Sequence, residues 1–236
     1  MFSSRCHFNI KWIYVFIAIF CLQQEIALGQ SHANEYWLFW THTQKINERF
    51  GLLLDAQTRS QQSLKQLNTL LLRGAIAYNF KNKSSFALGY AYKSDFEDNK
   101  RTEYEHRIFQ QYLRDFKIKK VEVQIRGRLE QRFLTEVATN FALRARGFVS
   151  LQIPVLANED FSSGLFTGIQ NELFLNVLNK QNVNDHIFDQ NRPYISLGYR
   201  FSKKIETAFD YGLMTSQDYN QKEVSSVFRI SLTSDF

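Results

Sequence analysis

The chain has 236 residues, 29 basic against 23 acidic, for a net charge of +6. That length holds one large domain or two small ones. Its 2 prolines, 10 glycines and mean hydropathy of -0.34 exclude a repeat-rich or disordered chain.

The first element reads as a targeting signal. Arg5 and Lys11 form a basic start, and the apolar run WIYVFIAIFCL follows from Trp12 to Leu22. This run is about half the ~20 residues that a membrane-spanning helix needs. Small residues suited to cleavage stand at Ala27-Leu28-Gly29 and Ser31-His32-Ala33, so residues 1–33 are expected to be a signal peptide cut after Gly29 or Ala33. Bulky Phe20 before Cys21 argues against a lipoprotein signal. Both cysteines, Cys6 and Cys21, fall in this segment. The exported part, 34–236, therefore has no disulfide to hold it together. No later apolar stretch is long enough for a spanning helix, so it either dissolves in the periplasm or crosses a membrane as a closed barrel.

From Glu35 onward the dominant period is two. In VEVQIRGRLEQRF, Val121, Val123, Ile125, Leu129 and Phe133 alternate with Glu122, Gln124, Arg126, Arg128, Glu130 and Arg132. A helix would scatter those charges round its circumference, whereas a strand sorts them onto one face. The same reading places strands at 35–43, 48–59, 68–80, 84–94, 103–113, 118–133, 140–153, 163–177, 191–202, 204–215 and 223–236. Many are about 10–14 residues long, near what a tilted strand needs to cross a bilayer. Short connections at 43–47, 81–84, 114–117 and 202–204 alternate with longer polar ones at 60–66, 95–102, 178–190 and 216–222. This is the pattern of periplasmic turns and outer loops. The long segment 154–162 falls on the short-turn side. Because bacterial single-chain barrels have even strand numbers, the odd tally points to twelve strands, with ten as the fallback. The expected fold is all-β, a transmembrane antiparallel up-and-down barrel in the outer membrane of a Gram-negative cell.

Two further features bear on that location. Phe236, Leu232, Ile230 and Phe228 share one parity at the end of the chain. This resembles the C-terminal strand signature of outer-membrane proteins, which the barrel assembly machinery reads. Aromatic residues gather near strand ends, at Tyr36, Trp37, Trp40, Tyr78, Phe80, Phe86, Tyr199 and Phe201, where their rings suit interfacial girdles against outer-membrane lipids.

The polar parity carries Arg59, Arg73, Glu105, Arg107, Arg126, Arg128, Glu130, Arg132, Arg144, Arg146, Glu172 and Arg192. Facing lipid, each charge would cost about 2–4 kcal/mol near the midplane, so they must face the lumen. There, arginines and glutamates either pair and plug the barrel or line a narrow pore that favours anions. The basic residues alternate with apolar ones and form no stripe, so nucleic acid is not an expected partner.

His106 is the weak catalytic candidate, near the outer rim and facing outward. Lipid-modifying enzymes of phospholipase or lipid A deacylase type keep such a histidine there, beside a serine that this stretch lacks. Asp95, Glu97 and Asp98, and the group Asp185, His186, Asp189 and Asn191, read as solvated loop polarity. No cofactor fingerprint or metal-ligand spacing is present.

Several motifs occur in order along almost the whole exported part. They are Trp37, Leu71-Leu72-Arg73 with Tyr78, Gly89-Tyr90-Ala91-Tyr92, Tyr104-Glu105-His106-Arg107, Arg126-Gly127-Arg128-Leu129-Glu130-Gln131-Arg132, Asn171-Glu172 with Phe174, and Phe188-Asp189-Gln190-Asn191-Arg192 before Tyr194. Together they resemble an outer-membrane family, domain of unknown function 2490. The resemblance implies a β-barrel in the outer membrane and no particular activity.

Overall fold

The computed structural model describes residues 32–61, 66–96, 103–135 and 139–236. The expected signal peptide lies almost wholly outside these residues. Eleven strands close into one barrel, each beside its neighbour in sequence. They are β1 (His32–Lys45), β2 (Phe50–Gln61), β3 (Thr69–Asn79), β4 (Ser84–Asp95), β5 (Glu103–Ile118), β6 (Val121–Thr135), β7 (Thr139–Ala157), β8 (Gly164–Leu178), β9 (Phe188–Ser202), β10 (Ile205–Gln217) and β11 (Lys222–Asp235).

The expectation of twelve strands, or ten, is corrected to eleven among the described residues. An odd number of up-and-down strands makes the first and last run the same way. The closing pair β1–β11 is accordingly parallel, in register from His32↔Val224 to Thr43↔Asp235. The sheet is thus antiparallel everywhere except at this seam. Side chains reinforce it: Thr41 Oγ1 donates to Thr233 Oγ1 at 3.1 Å, and Tyr36 stacks on Phe228 with centroids 5.6 Å apart. Backbone pairing extends to the last residue, where Phe236 N–H donates to Thr43 O at 2.8 Å.

Alternation sorts the two faces. Leu38, Ile76, Leu88, Ile108, Ile195 and Ile230 are 44–61% exposed on the outside. Their sequence neighbours Trp37, Ala75, Ala77, Ala87, Arg107, Tyr194 and Arg229 face the lumen, and all but Arg229 are buried. Three inward glycines give rings a seat against the sheet. A Cβ on Gly89, Gly198 or Gly212 would sit 2.3 Å from Phe109 Cζ, 2.3 Å from Phe166 Cζ and 2.4 Å from Tyr194 Cδ1 respectively. Large rings therefore fill the lumen without leaving the strand register.

Several boundaries move. The β5–β6 connection shrinks to 119–120, with Lys119 at φ 57°, because alternation runs on through Ile118. β7 continues past Pro154 with register shifts near it, so the β7–β8 connection is 158–163 and not 154–162. Gly164 there adopts φ +127°, a conformation that L side chains rarely take. On this connection Asp160 accepts from Lys203 (3.0 Å) and from the Ser162 hydroxyl and N–H, which hold its carboxyl down at about 2.

Trp37 also departs from its expected place. It faces inward at 2% exposure, because its odd position puts it on the polar parity of β1. Other aromatics do cluster outside, as in Phe50–Tyr78–Phe80 and Tyr199–Phe201, with centroids 5.0–5.5 Å apart.

Candidate functional site

Strand alternation delivers a ladder of ionic side chains to the lumen, and the register decides which of them meet. Glu130 on β6 lies opposite Arg144 on β7, one rung from Arg146. It is 1% exposed and accepts from Arg144 at 2.6 Å and from Arg146 at 2.5 Å. Arg146 also reaches Glu172 at 2.7 Å, and Glu172 takes Arg126 at 2.7 Å. Arg144 extends the network to Asp189 at 2.7 Å. Glu105 pairs with Arg107 at 2.7 Å and with Arg132. Arg73 forms a two-pronged bond with Asp55, at 3.0 and 2.7 Å. Arg128 donates to Gln111 Oε1 and lies 3.6 Å from Glu130.

The sequence-derived lumen residues thus meet in separate ion-pair clusters: Arg126, Arg128, Arg144, Arg146 and Glu172 join through Glu130, Glu105 holds Arg107 and Arg132, Arg73 pairs with Asp55, and Arg59 and Arg192 enter no ion pair among the described residues. Shared carboxylates and two-pronged guanidinium geometry satisfy most of these buried charges, which offsets the cost of removing them from water. Asp189 corrects an earlier reading: it is a buried partner of Arg144, 5% exposed, and not part of a solvated loop. β9 begins at Phe188, and a register shift against β8 at this point turns Asp189 inward although its parity is opposite to that of Arg192 and Tyr194.

The guanidinium planes lie on rings. Arg146 and Arg192 each sit 4.4 Å from the Phe174 centroid, Arg128 lies 4.4 Å from Phe109, and Arg229 lies 4.4 Å from Tyr194. Arg59 and Arg192 share the Trp37 indole at 4.1 and 5.1 Å. Such stacking suits arginine, whose planar cation is weakly hydrated on its faces.

A cavity of about 940 Å³ remains between these groups. Its lining runs from Lys83, Lys117, Lys203 and Lys204 at the short-turn end to Arg59, Arg192, Trp37 and Val183 at the other. At the short-turn mouth Arg200 bridges Glu122 at 2.8 Å and Glu206 at 2.9 Å. At the opposite end the β8–β9 connection bends inward far enough for Val183 to line the lumen. Asparagines hold it there. Asn179 and Asn182 donate to Phe141 O at 3.2 and 2.9 Å. Asn184, 3% exposed, donates to Gln217 O at 2.9 Å and accepts from Asn176 at 3.0 Å. His186 Nε2 lies 3.2 Å from Tyr219 O, and Asp185 pairs with Lys180 at 3.0 Å. Those two loop residues are occupied with the lid, and among the described residues no cluster suited to a metal ion exists.

His106 points outward as expected. Its Nδ1 lies 2.5 Å from the Tyr90 hydroxyl, and its ring lies 5.5 Å from Tyr92, within an aromatic patch that includes Tyr104. No serine bonds it. A serine–histidine contact does occur elsewhere, between His42 Nδ1 and Ser234 Oγ at 2.8 Å. It sits across the seam, where no sequence spacing could have revealed it. Asp235 next to it has the opposite parity, and among the described residues no hydrogen bond joins its carboxylate to His42, so it does not complete a triad.

Of the groups that sequence reasoning missed, Glu35 and Asp210 stand out only once the barrel closes. Glu35 accepts from Trp37 Nε1 at 2.8 Å, and Asp210 takes Arg229 at 2.7 Å and the Ser196 hydroxyl.

No curated protein and no solved structure matches the chain. Residues 34–225 match the family model described as Protein of unknown function (DUF2490), and with most of its length and nearly all of the closed barrel inside that match, the chain belongs to this family.

Proposed function

We propose that this protein is an integral outer-membrane barrel, exported by a cleaved signal peptide, whose ion-paired lumen makes it a closed structural barrel and not an open channel. The observation that carries this reading is the division of environments: aliphatic side chains outside, and Glu130, Glu172 and the arginines inside. A water-facing exterior of that composition would be a standing aggregation hazard, whereas acyl chains solvate it. Phe236, Leu232 and Ile230 lie on the exterior, available to assembly machinery before the seam closes. The cross-linked charge ladder and the asparagine-held lid favour a plug over a pore.

Fractionation and planar-bilayer recording test this. The processed chain is expected in the outer-membrane fraction, extracted only by detergent and migrating faster on gels before heating than after. Purified protein is expected to be electrically silent. Resolved channel events with anion preference would establish the pore instead, and a freely soluble periplasmic chain would end the membrane reading.

A further inference from the structure

The end of the cavity beside the β8–β9 connection holds a feature that the plug does not use. Among the described residues, Arg59 and Arg192 are the lumen arginines without a carboxylate in an ion pair, and both lie against Trp37. Arg59 spends its Nη2 on Gln57 at 3.0 Å, and Arg192 spends its Nη2 on Gln190. The Nε of each has no hydrogen-bond partner, and no bond within the described protein engages either Nη1. Tyr194 sits two residues from Arg192 on the same face of β9, its ring 6.4 Å from Trp37. It is 5% exposed and its hydroxyl also has no partner. All three side chains line the cavity. Glu35, the acid on this stretch of β1, accepts the Trp37 indole N–H at 2.8 Å, and its charge offsets part of the positive charge of Arg59, leaving the two arginines in excess.

Buried donors without acceptors are costly, and native structures leave few of them. Here two cationic forks and a phenol gather round one indole, at one end of the cavity. Two forks and a hydroxyl match an acceptor with several oxygens better than a spherical halide.

We infer that Arg59, Arg192 and Tyr194 form an oxyanion-binding site at the end of the lumen beside the β8–β9 connection, taking phosphate, free or as the terminal group of a larger molecule. The inference goes beyond the structural reading and does not depend on membrane location.

The test uses the purified barrel in detergent, titrated with sodium phosphate and, separately, with sodium chloride at matched ionic strength. Tryptophan emission and the thermal midpoint are followed. A saturable phosphate response is expected, and a glycerol phosphate repeats it if the group can be carried by a larger molecule. Arg59→Gln or Arg192→Gln should weaken it about tenfold and Tyr194→Phe about threefold. Heat-dependent gel mobility checks that each variant is folded. If the glutamine variants do not fold, Arg192→Lys keeps the charge, loses the fork, and should still weaken binding severalfold. A response no larger than that of chloride, or one retained at full affinity by the folded variants, would overturn the site. Neither result bears on fractionation or conductance, so the two proposals fail separately.

Discussion

Glu130 carries the greatest burden of any single side chain. Its carboxylate is shared by Arg144 and Arg146 and is almost wholly removed from solvent. Glu130→Ala would leave two buried guanidinium groups short of a partner, at an expected cost of about 3–5 kcal/mol. Denaturant unfolding in micelles checks this, and a loss below about 1 kcal/mol would show that water replaces the carboxylate freely. A volume effect is expected at Gly212, where any Cβ meets the Tyr194 ring. Gly212→Ala should destabilise by about 1–3 kcal/mol and displace Tyr194, lowering phosphate affinity as well. An unchanged melting profile with unchanged binding would show that the ring has room to move.

At the scale of elements, the β8–β9 connection behaves as a lid because asparagine amides, and not apolar packing, hold it. Asn184 links β8 to β10 through Asn176 and Gln217. Asn184→Ala removes these bonds and leaves the Gln217 carbonyl without this donor, for about 1–3 kcal/mol of local stability. Hydrogen exchange should rise at 179–187 while β6 and β7 keep their protection. Equal protection in the variant would mean that the lid is held by something else. The twofold period located nearly every strand, since one face is ionic and the other apolar. It misjudged ends where alternation outlasts the expected turn, at Ile118, or passes through a bulge, at Pro154. It placed Asp189 in a loop because a bulge at the start of β9 turns this residue inward against the parity of Arg192 and Tyr194.

For the molecule as a whole, the parallel seam is the feature with the sharpest consequence. Thr41 and Thr233 are register partners across it, with hydroxyls 3.1 Å apart. The chain has no cysteine after Cys21, so a Thr41→Cys, Thr233→Cys pair is clean. It should oxidise to an intramolecular disulfide and raise the unfolding temperature of the barrel. If a further strand separated β1 from β11, as an even-numbered barrel requires, the sulfurs would be a strand apart and no bond would form.

Much of this architecture is written locally. Side chains two apart share a face, and an arginine facing lipid is too costly to tolerate, so Arg73, Arg107, Arg126 to Arg132, Arg144, Arg146, Glu172 and Arg192 can be assigned to the interior from their positions alone. Alternation carries no information about which rung meets which, nor about where a sheet closes. The sharing of Glu130, the orphaned forks on Trp37, the eleventh strand meeting the first in parallel and the His42–Ser234 contact all arise from register and closure. Those are set by the packing of the whole lumen at once, because a shift of one strand moves every charge on it away from its partner.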